Sequence, residues 1–124
     1  MLRLVDFARA VDDHLATVTD RDLPAYLATV HDDVSLVMPN GRLVEGRAAV
    51  GEFHRTWFDD PDWSWSLTPL RKAEAGDTGV ALFAVEYRDI DGNDKPYTLR
   101  YLLTLTFTRR DDRWLLLHDQ NTPT

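Results

Sequence analysis

The sequence contains no cysteine, and this absence removes two classes of site. Disulfide bonds and thiolate metal ligands both require cysteine, and a chain without it suits an intracellular, cytoplasmic location. Histidine is also scarce, because only four are present, at positions 14, 31, 54 and 118. No two of them lie on one predicted element at the spacing of metal ligands, so we expect no metal site.

Long apolar runs and cofactor motifs are missing as well. No segment is long enough to span a membrane, and the N-terminal residues carry charges throughout, unlike a signal peptide. There is no glycine-rich phosphate loop and no nicotinamide or flavin fingerprint. The net charge of −7 repels phosphates, so nucleic acid is not an expected partner. We therefore predict a protein that uses no cofactor and binds neither membrane nor nucleic acid.

The 124 residues suit one ordinary domain, residues 1–124, and its first half is predicted to be largely helical. Apolar residues recur at helical spacing over residues 2–18. A second, short helix is predicted to begin after Asp22, a good N-cap residue, and to end at Asp32 and Asp33. Residues 46–58 carry the apolar stripe of a third helix.

Strands are predicted for the rest of the chain. Residues 34–46 read as a β-hairpin, with Asn40 and Gly41 in a type I′ turn. Four long strands joined by short turns then form an antiparallel meander, at 63–73, 78–90, 97–109 and 113–121. Helices first and strands last predict an α+β fold in which three helices cover one face of the sheet.

The uncovered face of this sheet is not polar enough to face water. Residues 80–88 and 114–117 are apolar on both faces, whereas a half-solvated sheet alternates between apolar and polar residues. A second copy of the chain is the simplest partner for that face, so a homodimer is expected. The alternative is that these are the scattered exposed apolar residues of any protein surface.

Two stretches follow a familiar order of elements. The stretch HDDVSLVMPNGRLVEGRAAVGEFHRTWF has an acidic helix end, a short strand, Pro-x-Gly, a second strand and Gly-x-x-Ala opening a helix. The stretch GNDKPYTLRYLLTLTFTRRDDRWLLLHD has a long strand, a charged turn, a tryptophan and an apolar run. Together they resemble the nuclear transport factor 2 (NTF2)-like/ketosteroid isomerase-like superfamily, in its SnoaL-like branch. The resemblance implies a cone-shaped, curved antiparallel sheet packed on three N-terminal helices, with a pocket between helices and concave face.

The resemblance also implies which side chains face the pocket. The inward set would be Leu36, Met38, Leu82, Ala84, Glu86, Arg88, Tyr97, Leu99, Tyr101, Leu103, Leu105, Phe107, Leu115, Leu117, Asp119 and Asn121. The convex face, where dimers of the family usually meet, would carry Phe83, Val85, Tyr87, Trp114, Leu116, His118 and Gln120. One inserted residue in the turn at 109–112 would reverse every assignment in the last strand.

The residues that steroid isomerases of this superfamily use are replaced here. Their Asp base lies just before the hairpin proline, where this chain has Met38, which cannot accept a proton. Their protonated Asp on the third long strand matches Leu103. Their two pocket tyrosines, on the first and third helices, match His14 and His54. Base and acid are both missing, so steroid isomerisation by that mechanism is not expected.

Asp119 is the predicted proton carrier. A carboxyl group on the inner face of an apolar cone has a raised pKa, as a general acid or base near neutral pH requires. SnoaL-like cyclases similarly carry an acid/base Asp on the last strand. The alternative is a solvated strand end. His14 and His54 are the predicted electrophile or proton relay, although either one could instead be a histidine at the core edge with one partner.

The remaining predicted site residues would bind the substrate. Glu86 would be a second carboxylate beside Asp119, or else pair with Arg88 at the rim of the sheet. Asn121 would hold a substrate oxygen. Flat or apolar walls would come from Met38, Trp57, Tyr101 and Leu103.

These residues predict a small cofactor-free enzyme that acts on an apolar, oxygenated small molecule. The reaction would be isomerisation, cyclisation, dehydration or hydrolysis by general acid/base catalysis. A non-catalytic module for ligand binding or assembly is the alternative. A third possibility, a scaffold that binds another protein through Trp63 and Trp65, requires both side chains to be exposed.

Overall fold

The structure, a computed structural model, describes residues 6–124 of the chain. Its elements are α1 (Phe7–Thr19), α2 (Leu23–Leu27), β1 (Val30–Val37), β2 (Leu43–Glu45), α3 (Arg47–Phe58), β3 (Ser64–Ala75), β4 (Thr78–Ile90), β5 (Pro96–Arg110) and β6 (Arg113–Pro123). The predicted α+β class is confirmed, as are the hairpin, the third helix and the four long strands. Residues 2–5 of the first predicted helix lie outside the described residues. No helix within the described range has the length and apolar character needed to cross a membrane.

The six strands form one curved, open sheet in the order β2-β1-β6-β5-β4-β3. Strands β3 to β6 are the predicted antiparallel meander. The sheet is completed by β1, which pairs in parallel with β6 and so places the hairpin beside the last strand. The helices pack on the concave face, where most of the buried apolar side chains lie.

Two local predictions near the hairpin are wrong. The second helix ends at Leu27 and not at Asp32 and Asp33, because β1 already begins at Val30 and pairs with Leu116 of the last strand. Pairing with a distant strand thus overrides the helical pattern of the segment.

The hairpin turn is not of type I′. The Gly41 N–H donates to the Met38 carbonyl at 2.8 Å, which makes Pro39 and Asn40 the central residues of the turn. Type I′ requires positive φ at both central residues, and Pro39 holds its own φ near −65°. Gly41 follows the turn with φ of +86°, a conformation in which glycine has no steric cost.

The side chains of β4 that point to the concave face are not the ones predicted to do so. Phe83 pairs with Leu103 and Val85 with Tyr101, and directly opposite residues of antiparallel strands share a face. Phe83, Val85 and Tyr87 are therefore buried on the concave face. The residues predicted to point inwards, namely Leu82, Ala84, Glu86 and Arg88, lie on the convex face. The length of the β4–β5 turn sets this register, and residues that are apolar on both faces do not reveal it.

A β-bulge at Leu117 divides β6 into two halves. Thr106 of β5 pairs with His118, but the next residue, Phe107, pairs with Leu116, so Leu117 has no partner on β5. The extra residue reverses the facing of the side chains between the two halves.

The predicted facing of β6 is therefore half right. Asp119 and Asn121 lie opposite Leu105 and Leu103 on the concave face, and His118 and Gln120 lie on the convex face, as expected. Trp114 and Leu116 were predicted on the convex face but are buried on the concave face. Leu115, predicted inwards, faces outwards with its partner Thr108, and Leu117 is the bulge residue.

Phe7 is a tightly packed residue of the core. Its ring centroid lies 5.6 Å from that of Phe107 and 5.0 Å from that of Trp114. A Cβ atom added to Gly79 would approach the Phe7 ring to 2.4 Å. The ring is 2% exposed.

We predict that Gly79→Ala destabilises the protein by about 1–3 kcal/mol, because the added methyl overpacks this cluster. The matched control is Gly92→Ala, since a Cβ atom there meets no atom within 4 Å. The free energy of unfolding in urea measures both variants. Equal stability of the two variants would contradict the close contact.

Tyr26 carries a buried hydroxyl without a partner. The side chain is 0% exposed, and within residues 6–124 its hydroxyl is the only sealed side-chain nitrogen or oxygen that lacks a hydrogen bond. By contrast, the Tyr87 hydroxyl accepts from Trp57 Nε1 at 3.0 Å and donates to Asp89 Oδ2 at 2.8 Å.

We expect Tyr26→Phe to stabilise the ligand-free protein by about 1 kcal/mol, because a buried unsatisfied hydroxyl is costly. Tyr87→Phe should instead destabilise it, since it leaves Trp57 and Asp89 without their partner. Thermal and urea unfolding of both variants check the pair of signs. A larger loss of stability in Tyr26→Phe than in Tyr87→Phe would show that the Tyr26 hydroxyl has a partner.

Candidate active site

A cavity of about 190 Å³ lies between α1, α3 and the concave face of the sheet. Most of its wall is apolar, formed by Leu15, Val18, Leu36, Met38, Pro39, Phe53, Trp57, Trp65, Leu99, Leu103 and Leu105. Six polar side chains interrupt this wall, namely His14, His54, Tyr87, Tyr101, Asp119 and Asn121. A concave, mostly apolar cavity with a few converging polar groups is typical of a small-molecule site.

The structure brings eight of the nine predicted site residues together in this cavity. The exception is Glu86, which lies on the convex face because β4 faces the other way. There it forms ion pairs with Arg88 and with Arg100, whose Nη2 lies 3.3 Å from Glu86 Oε2. The ion-pair alternative was therefore the better interpretation, and Glu86 is not a second carboxylate beside Asp119.

Asp119 lies on β6 and lines the cavity, and one of its two carboxylate oxygens accepts a hydrogen bond. Its Oδ1 accepts a hydrogen bond from Asn121 Nδ2 at 2.9 Å, and the same amide group donates to the Val37 carbonyl at 2.9 Å. Its other carboxylate oxygen has no hydrogen-bond partner among residues 6–124.

The apolar surroundings change the acidity of Asp119. Burial raises its pKa from 3.8 to about 7, and the hydrogen bond from Asn121 offsets only part of this effect. A carboxyl group with this pKa exchanges protons readily near neutral pH.

The two histidines are buried, and the Nδ1 atom of each has a hydrogen-bond partner. His14 Nδ1 lies 2.7 Å from Thr29 Oγ1, and His54 Nδ1 lies 2.8 Å from the Val50 carbonyl. Burial lowers the pKa of His14 to about 3, with a further contribution from His54. Burial also lowers the pKa of His54 to about 4. Both rings are therefore neutral at pH 7, and neither forms a hydrogen bond with Asp119.

Tyr26 lies behind the two histidines. Its ring stacks on His54 with centroids 4.0 Å apart, and its centroid lies 5.4 Å from that of His14. Burial raises the pKa of Tyr26, and the nearby Asp119 carboxylate raises it further. Tyr26 belongs to the short helix α2, and nothing in the local sequence pattern marks it as a site residue.

Tyr87 is a second residue that sequence reasoning missed, because β4 was assigned the wrong facing. Its ring lines the cavity, and its hydroxyl links Trp57 to Asp89. The register of β4 against β5 was the only signal that could have placed it there.

The tryptophans near the start of β3 are packed against the cavity wall. Trp63 is 3% exposed and stacks on Trp57 with centroids 4.3 Å apart, and Trp65 is half-buried in the cavity wall. A scaffold that binds a protein through Trp63 and Trp65 needs both exposed, so this third possibility is wrong. No group of three or more acidic or histidine side chains in the described range could hold a metal ion.

Solved structures with very different sequences share this fold. A ketosteroid isomerase-like protein from Erwinia carotovora atroseptica has a TM-score of 0.81 at 16% identity, covering 97% of this chain and 95% of its own. A candidate dehydratase of the NTF2-like family from Streptomyces avermitilis has a TM-score of 0.81 at 17% identity, covering 94% and 92%. The CaMKII hub of S. rosetta has a TM-score of 0.74 at 24% identity, covering 94% and 93%. At such identities the likeness shows the fold alone.

The sequence itself matches a family model over most of its length. Among curated proteins, none matches the sequence. The model of the SnoaL-like domain, by contrast, matches residues 11–116, which run from α1 into β6 and include both histidines. The curved sheet, the three helices and the cavity between them agree with this match, and the chain belongs to the SnoaL-like domain family.

Proposed function

We propose that this protein is a small cofactor-free enzyme that uses Asp119 for general acid/base chemistry on an apolar, oxygenated small molecule. One observation carries the proposal: a carboxyl group with a pKa of about 7 lies in an apolar cavity, and one of its oxygens has no hydrogen-bond partner among residues 6–124. A general acid or base is most effective when its pKa is near the working pH. Isomerisation, cyclisation, dehydration and hydrolysis all require such a proton transfer.

The neighbours of Asp119 suit this role. Asn121 holds one carboxylate oxygen in place and leaves the other available to a substrate. Trp57 and Tyr101 supply flat walls against which a ring system can pack. His14 and His54 are neutral, so we assign them as hydrogen-bonding partners or a relay and not as cationic electrophiles.

The alternative is a non-catalytic module that binds a ligand or assembles with other subunits. The CaMKII hub of S. rosetta has the same fold, and the fold hosts both kinds of protein. The raised pKa of Asp119 favours the enzyme over the binding module. A carboxyl group with a purely structural role gains no stability from a desolvated position without a charged partner. We further expect a cytoplasmic location from the cysteine-free sequence.

The convex face of the sheet is the proposed dimer interface. Half-exposed leucines lie on it in three neighbouring strands, namely Leu82, Leu102 and Leu115. Ala84, which lies opposite Leu102, adds apolar surface beside Leu82 and Leu102. Apolar side chains on the open face of a sheet are typical of an interface between identical subunits.

Leu102→Glu should convert the proposed dimer to a monomer, because a carboxylate would be buried at the centre of the interface. Sedimentation equilibrium measures the mass of each form in solution. The control is Leu70→Glu, a change of an exposed leucine on the edge strand β3, which should leave the mass unchanged. A monomeric wild-type protein at micromolar concentration would contradict the dimer.

Proton transfer can be tested without knowledge of the product. The protein is incubated in D₂O with uncharged cyclic ketones, with and without a hydroxyl group, and NMR follows deuterium uptake at carbon. We expect uptake that Asp119→Asn reduces about 100-fold or more, because the amide cannot carry the proton. The control is Asp33→Asn, which removes an exposed carboxylate on β1.

Equal uptake by Asp119→Asn and wild type would remove Asp119 from the mechanism. No uptake with any compound would favour the binding module.

The raised pKa of Asp119 also predicts how stability depends on pH. In the unfolded chain the carboxyl group ionises near 3.8, but in the folded protein it stays protonated until about pH 7. The free energy of unfolding contributed by this group is therefore fully present below pH 3.8 and is lost as the pH rises to about 7.

Asp119→Asn should thus be more stable than wild type above pH 7, by roughly 2–4 kcal/mol, and the advantage should vanish towards pH ~4. Urea unfolding across this pH range measures the difference, with Asp33→Asn, a change of an exposed carboxylate, as the matched control. An advantage that does not change with pH would mean that Asp119 ionises normally in the folded protein.

A further inference from the structure

The two histidines of the cavity have fixed tautomers. For His54, the partner of Nδ1 is the Val50 carbonyl at 2.8 Å, and a carbonyl oxygen only accepts hydrogen bonds. The ring proton must therefore be on Nδ1. In the neutral ring this leaves Nε2 with a lone pair and no proton.

His14 has the same tautomer for a different reason. Its Nδ1 lies 2.7 Å from the Thr29 hydroxyl, which itself donates to the Tyr26 carbonyl at 2.7 Å. A hydroxyl has one proton to donate, so towards His14 the Thr29 oxygen acts as an acceptor. Nδ1 of His14 thus carries the proton, and its Nε2 is a bare acceptor.

Both Nε2 atoms remain accessible from the cavity. Neither forms a hydrogen bond within residues 6–124, and the Tyr26 hydroxyl is the only unpartnered side-chain polar atom there that is sealed from solvent. Both rings line the cavity, so the accessible surface of His14, which is only 1% exposed, lies against it. No Lys or Arg side chain lines the described cavity.

We propose that the cavity selects an uncharged ligand that presents a hydroxyl group, alcoholic, phenolic or enolic, as hydrogen-bond donor to the Nε2 atom of His14 or of His54. This specificity rests on the proposed use of the cavity for a small molecule. A carbonyl or ether oxygen at the same place would set lone pair against lone pair and leave both groups unsatisfied. A carboxylate or phosphate would enter an apolar space that holds no cation.

The helix side of the cavity therefore has a defined chemical role. It does not stabilise an oxyanion, because neutral rings of this tautomer have no N–H to offer there. It holds the hydroxyl end of the ligand, while Asp119 and Asn121 face the ligand from the sheet. A site built to hydrogen-bond a hydroxyl group discriminates strongly against analogues that lack it.

Binding of matched bicyclic probes tests the proposal without any need for turnover. The full-length protein is titrated at pH ~7 with 2-naphthol, 2-methoxynaphthalene, 2-naphthaldehyde and 2-naphthoate, with tryptophan fluorescence as the signal. We expect 2-naphthol to bind at least about 10-fold more tightly than the other three. At least one of the variants His54→Phe and His14→Phe should reduce this preference several-fold, whereas His118→Phe, on the convex face, should leave it unchanged.

Weak or absent binding of 2-naphthol, or binding no tighter than that of the methyl ether, would overturn the proposal. Should the phenylalanine variants fail to fold, the ¹⁵N chemical shifts of the histidine rings in the wild-type protein decide. An unprotonated Nε2 on both rings at pH ~7 supports the proposal, and a protonated Nε2 on both overturns it. A preference for 2-naphthol without deuterium exchange would keep the ligand class and remove only the proposed catalysis.

Discussion

A single unpaired residue, Leu117, determines what the concave face of the sheet presents to the helices. Before this bulge, Trp114 and Leu116 face the core, and Trp114 packs against Phe7. After it, Asp119 and Asn121 face the cavity. Without the extra residue, strict alternation would place one of these two pairs on the convex face. The bulge thus allows one strand to close the core at one end and to supply the polar groups of the cavity at the other.

The apolar cavity wall shifts the pKa values of its polar groups in opposite directions. Desolvation disfavours whichever form is charged, so it raises the pKa of Asp119 to about 7 and lowers those of His14 and His54 to about 3 and 4. The pKa of Asp119 is therefore higher than those of the two histidines, which reverses the usual order. The carboxyl group is the one that titrates near neutral pH. The cavity therefore has a carboxyl group that exchanges protons near neutral pH on the sheet and two neutral imidazole rings on the helices.

Local patterns predicted most elements of the fold, and the sequence and its family resemblance together supplied nine candidate site residues, eight of which line the cavity. Asp22 caps α2 as expected, with its side chain accepting from the Ala25 N–H. The four long strands lie within a few residues of their predicted bounds. Glu86 was misplaced because the facing of β4 was taken from the family resemblance. Asp119 forms no hydrogen bond with either cavity histidine and instead accepts one from Asn121.

The sequence by itself determined the α+β class and the order of the elements, because these depend on residue patterns within a few neighbours. Only the tertiary structure decided the facing of β4, the bulge in β6 and the end of α2, since each depends on pairing with a distant strand. The tautomer of His14 depends on Thr29, which only folding brings to it, whereas that of His54 is set within α3 by the carbonyl one turn earlier. The facing of the strands is set by hydrogen-bond partners on other strands, and those partners are in place only once the sheet has formed.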